Sequence, residues 1–444
     1  MMQVIHHGAH EGVTGSCHQL IINDKRSLLI DCGLFQGQDA RNRDETQIEF
    51  PLEGIQGLIL THVHLDHIGR VPYLLAAGFK GPIYCTPPTA KLLPLMLEDA
   101  LRIGVTRNKR LIARFLQDLK HHVRPLGYNK WHKLDGGITL RFSPAGHVLG
   151  SAYVELEYED QRFVFSGDLG STKSPLLIEP PSPERADFLV LESTYGDRLH
   201  SGREDRCQKL EEILCRTMNN SGVTIIPAFS LGRTQELLYE LNEIFQRVEE
   251  RCGCALLGAV DVIVDSPLSI RLTQVYDSMR EYWSDEAKHV LTYDDQPMVF
   301  NNLVNVDGHR DHQATVRYLQ KSKKPAIVIA GSGMCTGGRI VNYLKAFVGD
   351  PTADIVFVGF QALGTPGRYI QEESGWVRLD GMRFDIKAAV HTLSGYSAHA
   401  DQADLLRFVQ GMQQRPAAIR LVHGEPPAKA ALAEKLIELG YNVV

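Results

Sequence analysis

A short apolar run at 57–61 leads directly into His62-Val63-His64-Leu65-Asp66-His67, and no other stretch of the chain restricts the possible folds as strongly. The run reads as a buried strand. In extended backbone, side chains two apart project from the same side, so His62 and His64 point together. Asp66 and His67 fall where the chain turns into a helix beginning near Ile68. Four metal-ligating side chains therefore crowd the end of one strand. Burying them is costly unless they are paired or coordinated. A single zinc with an open position takes three protein ligands, so four here, with more elsewhere, point to two ions.

Further candidates share one placement, the loop just past a strand. His147 follows Ser143-Pro144-Ala145-Gly146, Asp168 closes Ser166-Gly167-Asp168, and His423 stands in Leu421-Val422-His423-Gly424-Glu425. Alone, each reads as an ordinary structural residue. Together they sit where α/β proteins assemble their sites, beyond the carboxyl ends of strands.

The surrounding pattern is layered α/β. Strands are expected at 19–23, 28–31, 57–61, 83–85, 138–142, 152–158 and 162–166, with a helix at 89–103. From about 197 to 375 the rhythm becomes helix–strand alternation: helices at 203–218, 234–250 and 338–347, and strands at 223–227, 262–265, 326–330 and 355–359. That alternation predicts a doubly wound parallel sheet. A hairpin around Asp380-Gly381, a helix at 401–410, a strand at 418–422 and a last helix and strand complete the tail.

Composition excludes several classes. Hydrophobic residues make up 43% and charged residues 23%, an ordinary globular balance. No apolar run approaches the ~18–20 residues a spanning helix needs, so no membrane partner is expected. The eight cysteines are scattered, as for reduced thiols in a cytoplasmic chain, and Cys252-Gly253-Cys254 lacks zinc-ribbon spacing. The net charge of −6 gives no hint of a nucleic-acid partner.

The His62–His67 motif, His147, Asp168 and Asp31 at the end of an early strand resemble the metallo-β-lactamase superfamily. Leu191-Glu192-Ser193-Thr194-Tyr195-Gly196, Ser397-Ala398-His399-Ala400-Asp401 and Leu421-Val422-His423-Gly424 are similar to motifs A, B and C of its β-CASP branch. That branch holds RNA-processing nucleases such as ribonuclease J and the endonuclease subunit of the polyadenylation machinery. Pro227-Ala228-Phe229-Ser230-Leu231-Gly232-Arg233 and the loop 331–339 also match, so the resemblance spans essentially the whole chain. It implies an αβ/βα sandwich from 1–196 and 376–444, with a β-CASP domain at 197–375 built on a parallel sheet flanked by helices.

The resemblance also implies roles. One zinc would be held by His62, His64 and His147, and the second by Asp66, His67 and His423, with Asp168 bridging them. Asp31 would orient a ligand histidine. Glu192 would favour the protonated form of His399, which then donates to the departing ribose oxygen as general acid. Asp66 counts among the catalytic residues as a ligand of the reacting site. Zn²⁺ is the implied metal, although a His/Asp set also accepts manganese or iron.

The implied substrate is single-stranded RNA, hydrolysed to 5′-phosphate and 3′-hydroxyl ends by endonuclease or 5′-exonuclease action. A histidine at 423 is similar to the RNA type, where DNA-processing members are expected to carry an aliphatic residue. The loop 331–339 resembles a phosphate cradle, with Ser332, Met334 and Thr336 as backbone contacts and Arg339 adding charge. Between 102 and 133, nine lysines and arginines face Asp118 alone, a local +8 that reads equally as a phosphate track or a solvated helix face. His391 reads as a core histidine or one that supports a ligand rather than as a ligand itself, His309 and His312 as part of a lid loop, and His6, His7 and His10 lie past a first short strand without a role. With about twenty residues after His423, no extra C-terminal domain of the ribonuclease J kind is expected. A small-molecule metallohydrolase and a non-catalytic scaffold are the alternatives, the scaffold disfavoured by the intact ligand set. A homodimer is left open.

Overall fold

The computed structural model describes residues 2–37, 39–41, 43–44, 46–200, 205–252, 260–362 and 364–444. They form two compact units: Met1–Leu199 with His399–Val444, and His200–Ala398. The second unit is an insertion into the first.

The first unit is built on two six-stranded mixed sheets. One contains β1 (Gln3–Gly8), β2 (Cys17–Asn23), β3 (Arg26–Ile30), β4 (Ile55–Ile59), β5 (Ile83–Cys85) and β6 (Val123–Pro125) in sequence order. β1 to β3 pair antiparallel and β3 to β6 parallel. The other runs β11 (Phe188–Glu192), β10 (Gln161–Phe165), β9 (Ala152–Tyr158), β8 (Thr139–Pro144) and β7 (His132–Lys133), with Ala418–Val422 parallel to β11 on its outer edge.

Period-two alternation explains how these sheets pack. On β10, Phe163 and Phe165 join a core shared with Leu20, Leu28, Ile30 and Ile59 of the facing sheet. Val164 between them points the other way, into a core with Leu405, Phe408, Leu432 and Leu436 of helices Gln402–Gln410 and Pro426–Glu438. Sheet on sheet, with helices outside, is the αβ/βα sandwich.

In the second unit all six strands of one sheet are parallel. β12 (Val223–Pro227), β13 (Asp261–Asp265), β14 (Leu303–Asn305), β15 (Ala326–Ala330), β16 (Asp354–Phe357) and β19 (Ala389–Thr392) stand in the order β14-β13-β15-β12-β16-β19. A separate hairpin pairs β17 (Trp376–Leu379) with β18 (Met382–Asp385). The fully buried runs of β12 and β15 are what a doubly covered parallel sheet requires.

Several expectations shift. The chain rejoins the first unit at His399 and not at 376, because β19 completes the inserted sheet by pairing with β16. His6 and His7 lie within β1, not past it. The helix expected from 203 runs Arg206–Asn219, and residues 201–204 lie outside the described residues, as does the sequence Cys252-Gly253-Cys254 for its side chains. The helix at 89–103 is Pro87–Gly104, with Pro87 and Pro88 in its first turn, where a missing N–H costs nothing, Pro94 further in, and Thr86 capping it. Among the described residues, no helix is long and apolar enough to cross a membrane.

Candidate metal centre

Six strand ends of the first unit supply one cluster. β3 leads to Asp31, β4 to His62 and the short helix Leu65–Ile68, β8 to His147, β10 to Asp168, β11 ends on Glu192, and Ala418–Val422 leads to His423. The turn carrying Asp66 and His67 is clamped by neighbouring backbone: Ser16 N–H donates to the Asp66 carbonyl (2.8 Å), Cys32 N–H to that of His67 (2.8 Å) and Leu34 N–H to that of Leu65 (2.8 Å). A Cβ at Gly33 would overlap the Asp66 carbonyl, so only glycine allows this approach.

Among the described residues, three groups bring metal-ligating atoms within 4.8 Å of one another: His62, His64, His147 and Asp168; Asp66, His67 and His423; and Asp168, Glu192 and His399. In the first, His64 Nδ1 lies 3.1 Å from His62 Nε2 and 3.0 Å from His147 Nε2. Asp168 Oδ2 lies 3.4 and 3.5 Å from the same two nitrogens. Ligands about 2.0–2.1 Å from a tetrahedral cation are about 3.3 Å apart, so these spacings are the edges such a cation needs.

The other oxygen of Asp168 faces the second group. Oδ1 is 3.2 Å from His67 Nε2 and 3.5 Å from His423 Nε2, and Asp66 Oδ2 is 3.3 Å from His423 Nε2. His67 Nε2 and Asp168 Oδ1 are both buried and lack the alignment of a hydrogen bond. Buried polar atoms of this kind call for a partner, and a cation between them answers the need.

The outer contacts set the tautomers. His67 Nδ1 donates to Asp31 Oδ2 (2.7 Å), which turns Nε2 inward and makes it the lone pair whenever the ring is neutral. Thr61 Oγ1 donates to Asp31 Oδ2 (2.7 Å) and so accepts from His62 Nδ1 (3.1 Å). Thr194 Oγ1 donates to the His423 carbonyl (3.1 Å) and accepts from His423 Nδ1 (3.0 Å). Asp31 thus orients His67 directly and His62 through Thr61. Sequence reasoning found Asp31 but not Thr61 or Thr194. Both stand beside recognised motif residues, the one signal available.

Protonation separates the clusters. Burial pushes His62 well below the ordinary histidine value, helped by the charge on His67, and burial brings His64 down to about 4. Burial also opposes charge on His423 and His67, yet it is outweighed: by Asp168 and Asp66 at His423, raised to about 9, and by Asp168 and Asp31 at His67, raised well above 6.5. Without a cation, the second cluster holds protons in its place.

Glu192 is fully buried; its Oε1 accepts from Leu169 N–H (2.7 Å) and lies 3.3 Å from His399 Nδ1. Burial works against a charged His399, but the Glu192 carboxylate raises it above the ordinary value. The His399 ring is 4.5 Å from that of His147, beside the metal-ligating atoms.

Residues 13–200 match the metallo-beta-lactamase superfamily, 234–370 the Beta-Casp domain and 383–444 a Zn-dependent metallo-hydrolase RNA specificity domain. Ribonuclease TTHA0252 of Thermus thermophilus is 36% identical over 442 residues, covering 100% of this chain and 97% of the relative. The chain belongs to the β-CASP metallo-hydrolases. The transcription termination factor FttA of Methanosarcina mazei is 32% identical, covering 97% of this chain and 68% of the factor. A crystal structure of a protein of unknown function from Enterococcus faecalis shares the fold, with a TM-score of 0.54 at 12% identity, covering 99% of this chain and 97% of that one.

In the β-CASP unit, the loop 331–339 follows β15. Ser332 and Met334 are half-buried and Thr336 is exposed. Arg339 departs from the expected role. Its guanidinium donates to Asp265 Oδ1 (2.5 Å) and to the carbonyls of Val306 (2.8 Å) and Asp307, so its charge braces the loop from within. His312 also differs: it lies in the first turn of helix His309–Ser322, buried, 2.6 Å from Asp265 Oδ2, and not in a lid loop. His391 sits in β19, half-buried, with Nε2 2.7 Å from Asp354 Oδ1. All nine cations of the 102–133 stretch are exposed, several on helix Lys109–His122.

Proposed function

We propose that the protein is a dizinc ribonuclease that hydrolyses RNA phosphodiester bonds and leaves 5′-phosphate and 3′-hydroxyl ends. The observation that carries this reading is the division of Asp168, one oxygen toward each donor cluster, with the Glu192–His399 pair beside them. His62, His64 and His147 would hold one ion and Asp66, His67 and His423 the other, with the two oxygens of Asp168 turned one to each group. When bound, two divalent ions supply Lewis acidity toward the phosphate and lower the pKa of water to near neutrality.

The chain's own residues do the rest. Asp31, Thr61 and Thr194 engage the outer imidazole nitrogens, so that each ring, once neutral, offers its lone pair inward. Glu192 holds His399 in its protonated form, and His399 delivers that proton to the leaving ribose oxygen. RNA is favoured as substrate by the matched RNA specificity domain, by the ribonuclease among the relatives and by the exposed basic stretch. Ser332, Met334 and Thr336 are proposed to meet the RNA backbone. The charge of Arg339 is spent on Asp265.

The test is cleavage of end-labelled RNA and matched DNA, with and without chelator. Chelator-sensitive cleavage of RNA is expected. Cleavage that survives chelation, or none on RNA, overturns the reading.

A further inference from the structure

The parallel sheet of the inserted unit has one place where its connections part. After β12 the chain crosses toward β13, on the β15 side, and after β15 it crosses toward β16, on the far side of β12. Right-handed crossovers in opposite directions put their helices on opposite faces of the sheet. A crevice is then left beyond the carboxyl ends of the two strands, and such crevices are where open α/β sheets bind ligands. β12 and β15 pair from Val223 with Ala326 to Pro227 with Ala330, so the loops that follow them, 228–232 and 331–339, flank that crevice.

Phe229 stands there. Of the sixteen phenylalanines it alone is exposed, at 40%. A single exposed apolar side chain is ordinary on a protein surface; this one is held firmly at the mouth of a sheet. Ala228 N–H donates to the Ala330 carbonyl (3.1 Å), Thr234 Oγ1 to the Phe229 carbonyl (2.9 Å) and Gln235 Nε2 to the Ser230 carbonyl (3.1 Å). Gly333 of the facing loop backs the ring: a Cβ there would come within 2.8 Å of Phe229 Cδ2 and 2.9 Å of Cε2. Gly333 is pinned in turn, its carbonyl accepting from Gln361 Nε2 (2.8 Å). Among the described residues, no other ring and no cation lies against Phe229.

The ring therefore has glycine behind it and solvent in front. Its neighbours Ser230 and Ser332 are half-buried and polar. One ring between hydroxyls is far too little apolar area for a protein partner, which buries about 800 Å² on each side. It suits a single flat group with a π-face, carried on a polar chain.

We propose that Phe229 is a stacking platform for one base of single-stranded RNA, in the crevice between β12 and β15. This goes beyond the backbone contacts of Ser332, Met334 and Thr336, and it rests on the reading of RNA as the substrate. Every base has a π-face, so the contact holds RNA without selecting its sequence.

The test uses the full-length, metal-loaded protein and a single-stranded heptanucleotide RNA whose phosphorothioate links resist hydrolysis. 2-Aminopurine, whose fluorescence is quenched by stacking, replaces each base in turn. Phe229→Ala removes the ring, Phe229→Leu keeps apolar bulk without a π-face, and Phe229→Tyr keeps the platform. Quenching on binding should be strong at one position in the wild type and in Phe229→Tyr, and lost there in Phe229→Ala and Phe229→Leu. Phe229→Ala should weaken binding about 5- to 100-fold. An abasic nucleotide at the quenched position should cost the wild type a similar factor and Phe229→Ala almost nothing. All three variants should keep the wild-type Tm, as expected at an exposed site.

If Phe229→Leu binds and quenches like the wild type, the contact is apolar and not stacking, and the proposal is overturned. If RNA binds equally well to Phe229→Ala with the same quenching, this inference falls alone. If the wild type binds no RNA, the reading of RNA as substrate falls and takes this inference with it.

Discussion

The two donor clusters share Asp168 and little else. The first is three imidazoles and one carboxylate oxygen, with His62 and His64 kept neutral by burial. The second sets Asp66 and Asp168 against His67 and His423, and there the carboxylates keep both histidines protonated. Desolvation favours neutral ligands in one place, and unpaired negative charge demands a cation in the other. The first cluster is therefore ready for a metal ion, while the second must first give up protons.

Removing the shared residue tests this most severely. Asp168→Ala should lose metal from both clusters and abolish cleavage, whereas His423→Ala should lose only the second ion; metal analysis by mass spectrometry separates the two. A single ion lost in Asp168→Ala would break the bridging assignment.

Next in size is His399→Ala, expected to cost about 10²–10⁴-fold in kcat on RNA with both ions retained. The general acid proposed at His399 works only when protonated, and its pKa is raised above 6.5, so wild-type turnover should fall as pH rises through that raised value. Glu192→Gln should move that limb to lower pH. An unmoved limb would separate His399 from Glu192.

Thr194→Val removes the acceptor of His423 Nδ1 and should weaken the second ion about 10–100-fold, leaving the first unchanged. Acidity should discriminate in the same direction. Protons compete for His423 below about 9 and for His64 only near 4, so zinc in the second cluster should be lost first as pH falls between those values. Equal loss of both ions on acidification would erase the distinction. The smallest effect belongs to the 102–133 stretch: Lys109→Ala with Arg110→Ala should flatten the salt dependence of RNA affinity by about one to two counterions and leave kcat alone.

The ligand candidates were legible because their chemistry is local. A strand ending in His62-Val63-His64-Leu65-Asp66-His67 must put several donors together, whatever surrounds it. The alternating helices and strands of the insertion were legible for the same reason, since the period of apolar residues reports local structure. Arg339 was misread because a basic residue after a glycine-rich loop looks the same whether it faces solvent or a buried carboxylate. Asp265, 74 positions earlier in the chain, decides which, through a contact no local pattern encodes. The return at His399 was misplaced because strand Ala389–Thr392 belongs to whichever sheet offers an open edge, and β16 offered it.

By itself the sequence determined the donor types, their positions at strand ends and the two-part architecture, because spacing along a strand dictates which side chains share a side. Only the tertiary structure decided that Asp168 turns one oxygen to each cluster, which histidine nitrogen faces inward, and which histidines carry protons. Those outcomes depend on burial and on partners up to 357 residues away, such as Asp66 at His423, and such partners meet only when the sheets close.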